Sequence, residues 1–299
     1  MAAEGVLDPS TPSSADPFDR SIVRVWNRAY LGHPDRDELL DTMAPEYVEV
    51  VDRRLRRGET FDREAMADLL ASDVRIEWSV VALLGDRAGL CRVRIVYDPQ
   101  DPNTNDDEGL RVSWCDRSGR MQGGARHDHD DIDGALETLW SKYREQCAQD
   151  GVEPVDNAAA RTVLRWAALL NLGESDAATA LHAADFEIEN RRPGETPEES
   201  SSLRESIPRN IASGWRLHPT VLAVSGDQRA LVHATWVAPV DDPGAIPYRV
   251  DRLWVNEVDA DGRFSRTVLF APDRLDDARS HLEQAVSYTH LTLPTIYSV

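Results

Sequence analysis

One segment that occurs twice constrains this chain more than any property of its composition. Val50-Val51-Asp52-Arg53-Arg54 is echoed by Ile188-Glu189-Asn190-Arg191-Arg192, an offset of 138 from Asp52 to Asn190. Val80–Asp86 returns as Val221–Asp227, an offset of 141, and Asp116–Arg120 returns as Asp259–Arg263, an offset of 143. Offsets that drift by a few residues describe a duplicated domain with small loop insertions. The period is far longer than a solenoid repeat, so each copy is expected to hold its own core. A chain of 299 residues also favours two domains.

Patterning sets the expected boundaries. Residues 1–19 are rich in Pro, Ser, Ala and Asp without apolar period and read as a disordered arm. Residues 20–146 form the first domain, 147–157 a linker, and 158–285 a second domain whose last helix is cut short. Val286–Thr295 corresponds letter for letter to a translated transposase-type sequencing adapter. Residues 286–299 are therefore read as an artefact, with the natural chain continuing differently after Ala285.

Within each copy the order is helix, short helix, strand, helix and a meander of hairpins. Ile22, Val23, Trp26, Ala29 and Tyr30 share one helical face, and Asp35 and Asp62 stand at helix starts. Strand-like runs meet at Gly85-Asp86 and again at Ser118-Gly119. Asp130 is placed to cap the closing helix of the first copy. Helices first and a meander after give an α+β class, here two tandem domains with N-terminal helices on a curved antiparallel sheet. The open end of such a cone is a common small-molecule site.

A net charge of −20 argues against nucleic acid and against anionic membrane surfaces, both of which need a basic face. No apolar run is long enough to span a bilayer, and the N-terminus shows no secretion signal. Cys91, Cys115 and Cys147 lack metal or disulfide spacing, so they read as reduced thiols of a cytoplasmic protein.

Each copy resembles a nuclear-transport-factor-2-like (NTF2-like) domain of the SnoaL-like or ketosteroid-isomerase-like branch. In the first copy the resemblance is carried by Ile22–Tyr30, the Gly32–Asp35 break, Ala44-Pro45-Glu46-Tyr47-Val48 and Val50-Val51-Asp52. In the second it is carried by Arg165–Leu172, Gly173–Asp176, Ala184-Asp185-Phe186, Ile188-Glu189-Asn190 and the closing hairpin Val258–Phe270. This fold hosts isomerases, cyclases, hydrolases and plain binding modules, so it leaves function open.

The resemblance makes Asp52 the catalytic candidate, at the position of the isomerase general base, with Asn190 as its unreactive counterpart. It places the oxyanion-binding tyrosine of the opening helix near Trp26 and Ala167. The second acid falls near Arg111 and Trp254, neither of which supplies a neutral carboxylic acid. Arg53, Arg54, Arg191 and Arg192 could place one guanidinium of each pair in a cone beside Asp52 or Asn190, to orient a ligand or activate water. Strand-end surface pairing is the simpler role for all four. His127-Asp128-His129-Asp130-Asp131 looks like a metal cluster, yet helix capping accounts for it. His218 and His233 read as strand residues and the tryptophans mostly as core. No metal or cofactor is expected. The sequence thus favours a small-molecule-binding or accessory module for an apolar or aromatic ligand, with Trp26 and Trp254 at the cones. The alternatives are an isomerase, cyclase or epoxide-hydrolase-type enzyme using Asp52, or a scaffold of a larger regulatory protein that pairs sheet to sheet between repeats or in a homodimer.

Overall fold

In a computed structural model the chain divides between Pro154 and Val155 into two compact units. The structure describes residues 17–30, 35–52, 58–72, 74–97, 107–194, 207, 209–239 and 248–288, without the side chains at 18, 52 and 284–288. Positions 1–16 of the expected arm, Arg53-Arg54 and positions 289–299 of the adapter segment lie outside these residues, while Pro17–Asp19, at the end of that arm, form a short 3-10 helix. The α+β class is observed in both units.

The N-terminal unit opens with α1 (Ser21–Tyr30), whose periodic face of Ile22, Val23, Trp26, Ala29 and Tyr30 is buried. Helix α2 (Arg36–Thr42) starts in a capping box between Asp35 and Glu38, and α3 (Arg63–Leu70) starts on the Asp62 side chain. The strands are β1 (Met43–Asp52), β2 (Glu59–Asp62), β3 (Arg75–Leu84), β4 (Ala88–Val96), β5 (Asp107–Cys115) and β6 (Met121–His127). They form one sheet in the order β2-β1-β6-β5-β4-β3. Helix α4 (Ile132–Asp150) closes the unit.

The C-terminal unit follows a similar order, in which no counterpart of β2 or α3 is described in full, with α5 (Ala158–Leu172), α6 (Ser175–Ala180), β7 (His182–Asn190), β8 (Arg216–Ser225), β9 (Arg229–Val237), β10 (Arg249–Val258), β11 (Phe264–Phe270) and α7 (Leu275–Tyr288). Its sheet runs β7-β11-β10-β9-β8. Strands β1 and β7 thus hold the same place, each beside the last strand of its sheet. Among the described residues no helix is long and apolar enough to cross a membrane. Cys91, Cys115 and Cys147 are free and buried.

Three expectations are corrected. The sheets are mixed, because β1 runs parallel to β6 and β7 parallel to β11. A strand returning beside the first one after a long connection is free to run parallel, as a tight hairpin is not. The cap of α4 is Asp131, which accepts from Gly134 N at 3.2 Å, and not Asp130. That helix also runs past Gln146 to Asp150, where Gly151 ends it at φ +70°.

The repeated Gly-Asp dipeptide has a structural role that its hairpin position alone does not reveal. Ser21 N donates to Asp86 Oδ1 at 3.0 Å and Ile22 N to the Asp86 carbonyl at 3.2 Å. In the second unit Ala158 N donates to Asp227 Oδ1 at 3.1 Å and Ala159 N to the Asp227 carbonyl at 3.3 Å. The preceding residue adds a third bond, from Arg20 to the Gly85 carbonyl and from Asn157 to the Gly226 carbonyl. The first two free amides of each opening helix are therefore satisfied by a distant turn. Asp227→Ala should cost about 1 kcal/mol, the scale of a lost N-cap, and lower the midpoint of thermal unfolding by a few degrees. Asp227→Asn, which keeps an acceptor oxygen, should recover most of the loss. Equal stability of all three proteins would show that the latch contributes nothing.

Candidate functional site

The strand ladders set the equivalence of the two interiors directly. Val51 pairs with Arg126, which pairs with Arg111, and Asn190 pairs with Leu269, which pairs with Trp254. Asn190 therefore stands where Val51 stands, an offset of 139 rather than 138. The position matching Asp52 is Arg191. The echo in sequence aligns similar residue types, but a one-residue slip along a strand exchanges the two faces of the sheet.

In the N-terminal unit the inward positions of β1 are Tyr47, Glu49 and Val51, all buried, while Val48 and Val50 are 44% and 41% exposed. Asp52 ends the strand in register with His127, at a position of the same parity as Val48 and Val50. The buried carboxylate of this strand is Glu49, and it sits in an ionic cluster. Arg111 and Arg126 both pair with it, and their side chains are 4% and 11% exposed against 0% for Glu49. Tyr47 Oη donates to Glu49 Oε2 at 2.7 Å and accepts from Arg111 Nη2 at 2.9 Å. Arg111 also bonds Tyr30 Oη, with its guanidinium 5.5 Å from that ring's centroid. Burial pushes the Glu49 carboxyl up, yet Arg111, then Arg126 and the Tyr47 hydroxyl outweigh it and hold it below the ordinary carboxylate value. Met66, Met121, Trp26 and Trp78 pack this interior. Beside Arg111 and Arg126 lies a void of about 20 Å³, room for no more than a water.

In the C-terminal unit the four equivalent positions are apolar. Tyr47, Glu49, Arg111 and Arg126 become Phe186, Ile188, Trp254 and Leu269. All four line a cavity of about 480 Å³. Trp166 of α5 joins them, its ring 5.9 Å from Trp254 and 5.8 Å from Phe264 between centroids. Val250, Arg252, Trp254 and Asn256, the alternate residues of β10, form one wall. Among the described residues no Asp or Glu lines the cavity, and the imidazole among them that does, His182, has Nδ1 3.2 Å from the Thr179 carbonyl oxygen. An aromatic chamber of this size can hold an apolar molecule, and the described residues that line it offer no carboxylate for proton abstraction.

The other sequence candidates separate. Trp254 lines the cavity, whereas Trp26 is fully buried in the N-terminal core, edge-to-face with Trp78 at 5.6 Å. Asn190 Oδ1 accepts from Arg192 N at 3.1 Å and Arg192 Nε at 3.0 Å, so these two close on each other at the end of β7. Arg191 pairs with Glu189 and lies 3.3 Å from His281 Nδ1, over the Phe270 ring. None of these three lines the cavity. Arg53 and Arg54 lie outside the described residues. His127 Nδ1 is 3.3 Å from Asp131 Oδ2, the residue that caps α4. Glu49, Arg126, Trp166, Phe186 and Asn256 were not singled out in the sequence. The signal that finds them is parity counted along paired strands, once the register is known.

No family model and no curated protein matches this chain. Among solved structures, similar chains include SalBIII, an epoxide hydrolase/cyclase-like enzyme in pyran ring formation in the polyether salinomycin. It is 17% identical over 38% of this chain and 88% of its own, with a TM-score of 0.31. Δ5-3-ketosteroid isomerase from Mycobacterium sp. is 18% identical over 38% and 92%, with a TM-score of 0.31. RV0760c from Mycobacterium tuberculosis, in complex with estradiol-17β-hemisuccinate, is 13% identical over 38% and 93%, again with a TM-score of 0.31. Likeness at that level says nothing about activity or ligand.

Proposed function

We propose that the C-terminal unit is a binding module for a small apolar or aromatic molecule, and that both units are NTF2-like domains. The N-terminal unit is then a non-catalytic companion whose interior is filled by its own side chains. One observation carries this reading. Where the first unit places Tyr47, Glu49, Arg111 and Arg126, the second places Phe186, Ile188, Trp254 and Leu269 around a cavity of about 480 Å³. That volume lies within the ~300–1,000 Å³ typical of small-molecule sites.

The neutral fluorophore N-phenyl-1-naphthylamine tests it. The full chain should bind one molecule saturably, with a dissociation constant on the order of 10 µM, about 7 kcal/mol. Binding should quench the tryptophan emission to which Trp166 and Trp254 contribute. Two bound molecules per chain, or none, would reject the assignment of a single site to the C-terminal unit.

A further inference from the structure

We propose that this cavity selects a neutral ligand that carries a hydrogen-bond acceptor, such as a ring carbonyl, and that Asn256 reads it. The proposal rests on the binding reading above and adds the class of ligand. Asn256 is 3% exposed and lines the cavity wall. Thr267 Oγ1 donates to its Oδ1 at 2.9 Å, which turns the amide nitrogen away from that partner. Asn256 Nδ2 is buried and has no hydrogen-bond partner among the described residues. Trp254 Nε1 is buried and unpartnered in the same way. The two residues are alternate members of β10 and share one face, about 7 Å apart along the strand.

Burying a donor without an acceptor costs about 1–3 kcal/mol, which a ligand oxygen would recover. The amide oxygen already accepts from Thr267 while the amide nitrogen has no partner among the described residues, so an acceptor on the ligand meets the greater unmet need at Asn256. An ionised ligand is disfavoured at this end of the cavity. Arg252, the guanidinium on the same strand face, is four positions away, roughly 13 Å along the strand. The intervening wall is Trp254, which cannot replace the lost hydration of a carboxylate. The first unit lacks the orienting pair, since Ser113 and Gly124 hold the places of Asn256 and Thr267. A Cβ at Gly124 would approach Glu49 Oε2 to 2.8 Å, so a side chain there would have to displace the Glu49 carboxylate within its ionic cluster.

The test uses the full chain and three probes: benzanthrone, its parent hydrocarbon without the oxygen, and a benzanthrone carboxylate. Benzanthrone should bind about tenfold more tightly than the hydrocarbon, with its carbonyl stretch shifted to lower frequency, and the carboxylate should bind least. Asn256→Leu should weaken benzanthrone about tenfold, abolish the band shift and leave the hydrocarbon's affinity in place. Trp254→Phe, which removes only the N–H and part of the ring, should narrow the ketone's advantage if the leucine variant does not fold. Equal affinity for ketone and hydrocarbon, or tightest binding of the carboxylate, would overturn the inference while leaving the binding module intact. Failure of both neutral probes to bind would overturn the binding reading itself.

Discussion

Replacing Glu49 by alanine is expected to destabilise the N-terminal unit by about 3–5 kcal/mol, the scale for breaking a buried ion pair. The loss is large because the variant leaves the Arg111 and Arg126 guanidinium groups buried without a carboxylate. The pair is not thereby a large net source of stability, since removing it from water has its own cost. The variant Tyr47→Phe, Glu49→Ile, Arg111→Trp, Arg126→Leu, which carries the second unit's residues, should therefore recover much of what Glu49→Ala loses. Scanning calorimetry of the full chain would show the two effects. A shift of under ~1 °C for Glu49→Ala would mean the cluster is not buried as described.

The same carboxylate predicts the response to acid. Its value in the folded protein is lowered, so its contribution is fully present above the unfolded carboxylate value of ~4.5. That contribution is lost as pH falls below ~4.5 and through the folded value. Glu49→Gln should be less stable near neutral pH and should lose less on acidification. Parallel stability curves for the two proteins between pH ~6 and ~3 would contradict this sign.

Ile188→Glu should lower the affinity of the C-terminal unit for a neutral apolar probe by about a hundredfold or more. It copies Glu49 into the second unit without the arginines, because Trp254 and Leu269 stand where Arg111 and Arg126 stand. A carboxylate there must be stripped of water whenever the ligand enters, and an unpaired buried charge costs several kcal/mol. A second variant, Ile188→Glu with Leu269→Arg, supplies a partner and should regain stability while keeping the cavity blocked. Unchanged binding in the single variant would place the ligand elsewhere.

How much could be read from the chain differs between elements and interiors. Asp35 and Asp62 announce their helices because a carboxylate at the cap accepts a specific backbone amide. Asn157 caps α5 the same way, and the periodic face of α1 is buried as its spacing requires. These are local effects, complete within four residues. The Gly-Asp repeats were visible as turns, but their grip on the opening helices spans 65 residues at Asp86 and 69 at Asp227.

The sequence by itself determined the α+β class, the Asp35 and Asp62 caps and the hairpin turns, since each depends on neighbours along the chain. Only the tertiary structure decided which residues face inward. A parallel pairing of first and last strands joins segments far apart, and a slip of one residue moved the counterpart of Asp52 from Asn190 to Arg191. Tertiary structure also decided that one interior is filled and the other empty. Glu49, Arg111 and Arg126 are ordinary charged residues in the chain, and their burial follows from meeting one another across three strands. Phe186, Ile188 and Leu269 read as ordinary core residues, and their meeting with Trp254, a candidate already in the sequence, leaves a chamber between them.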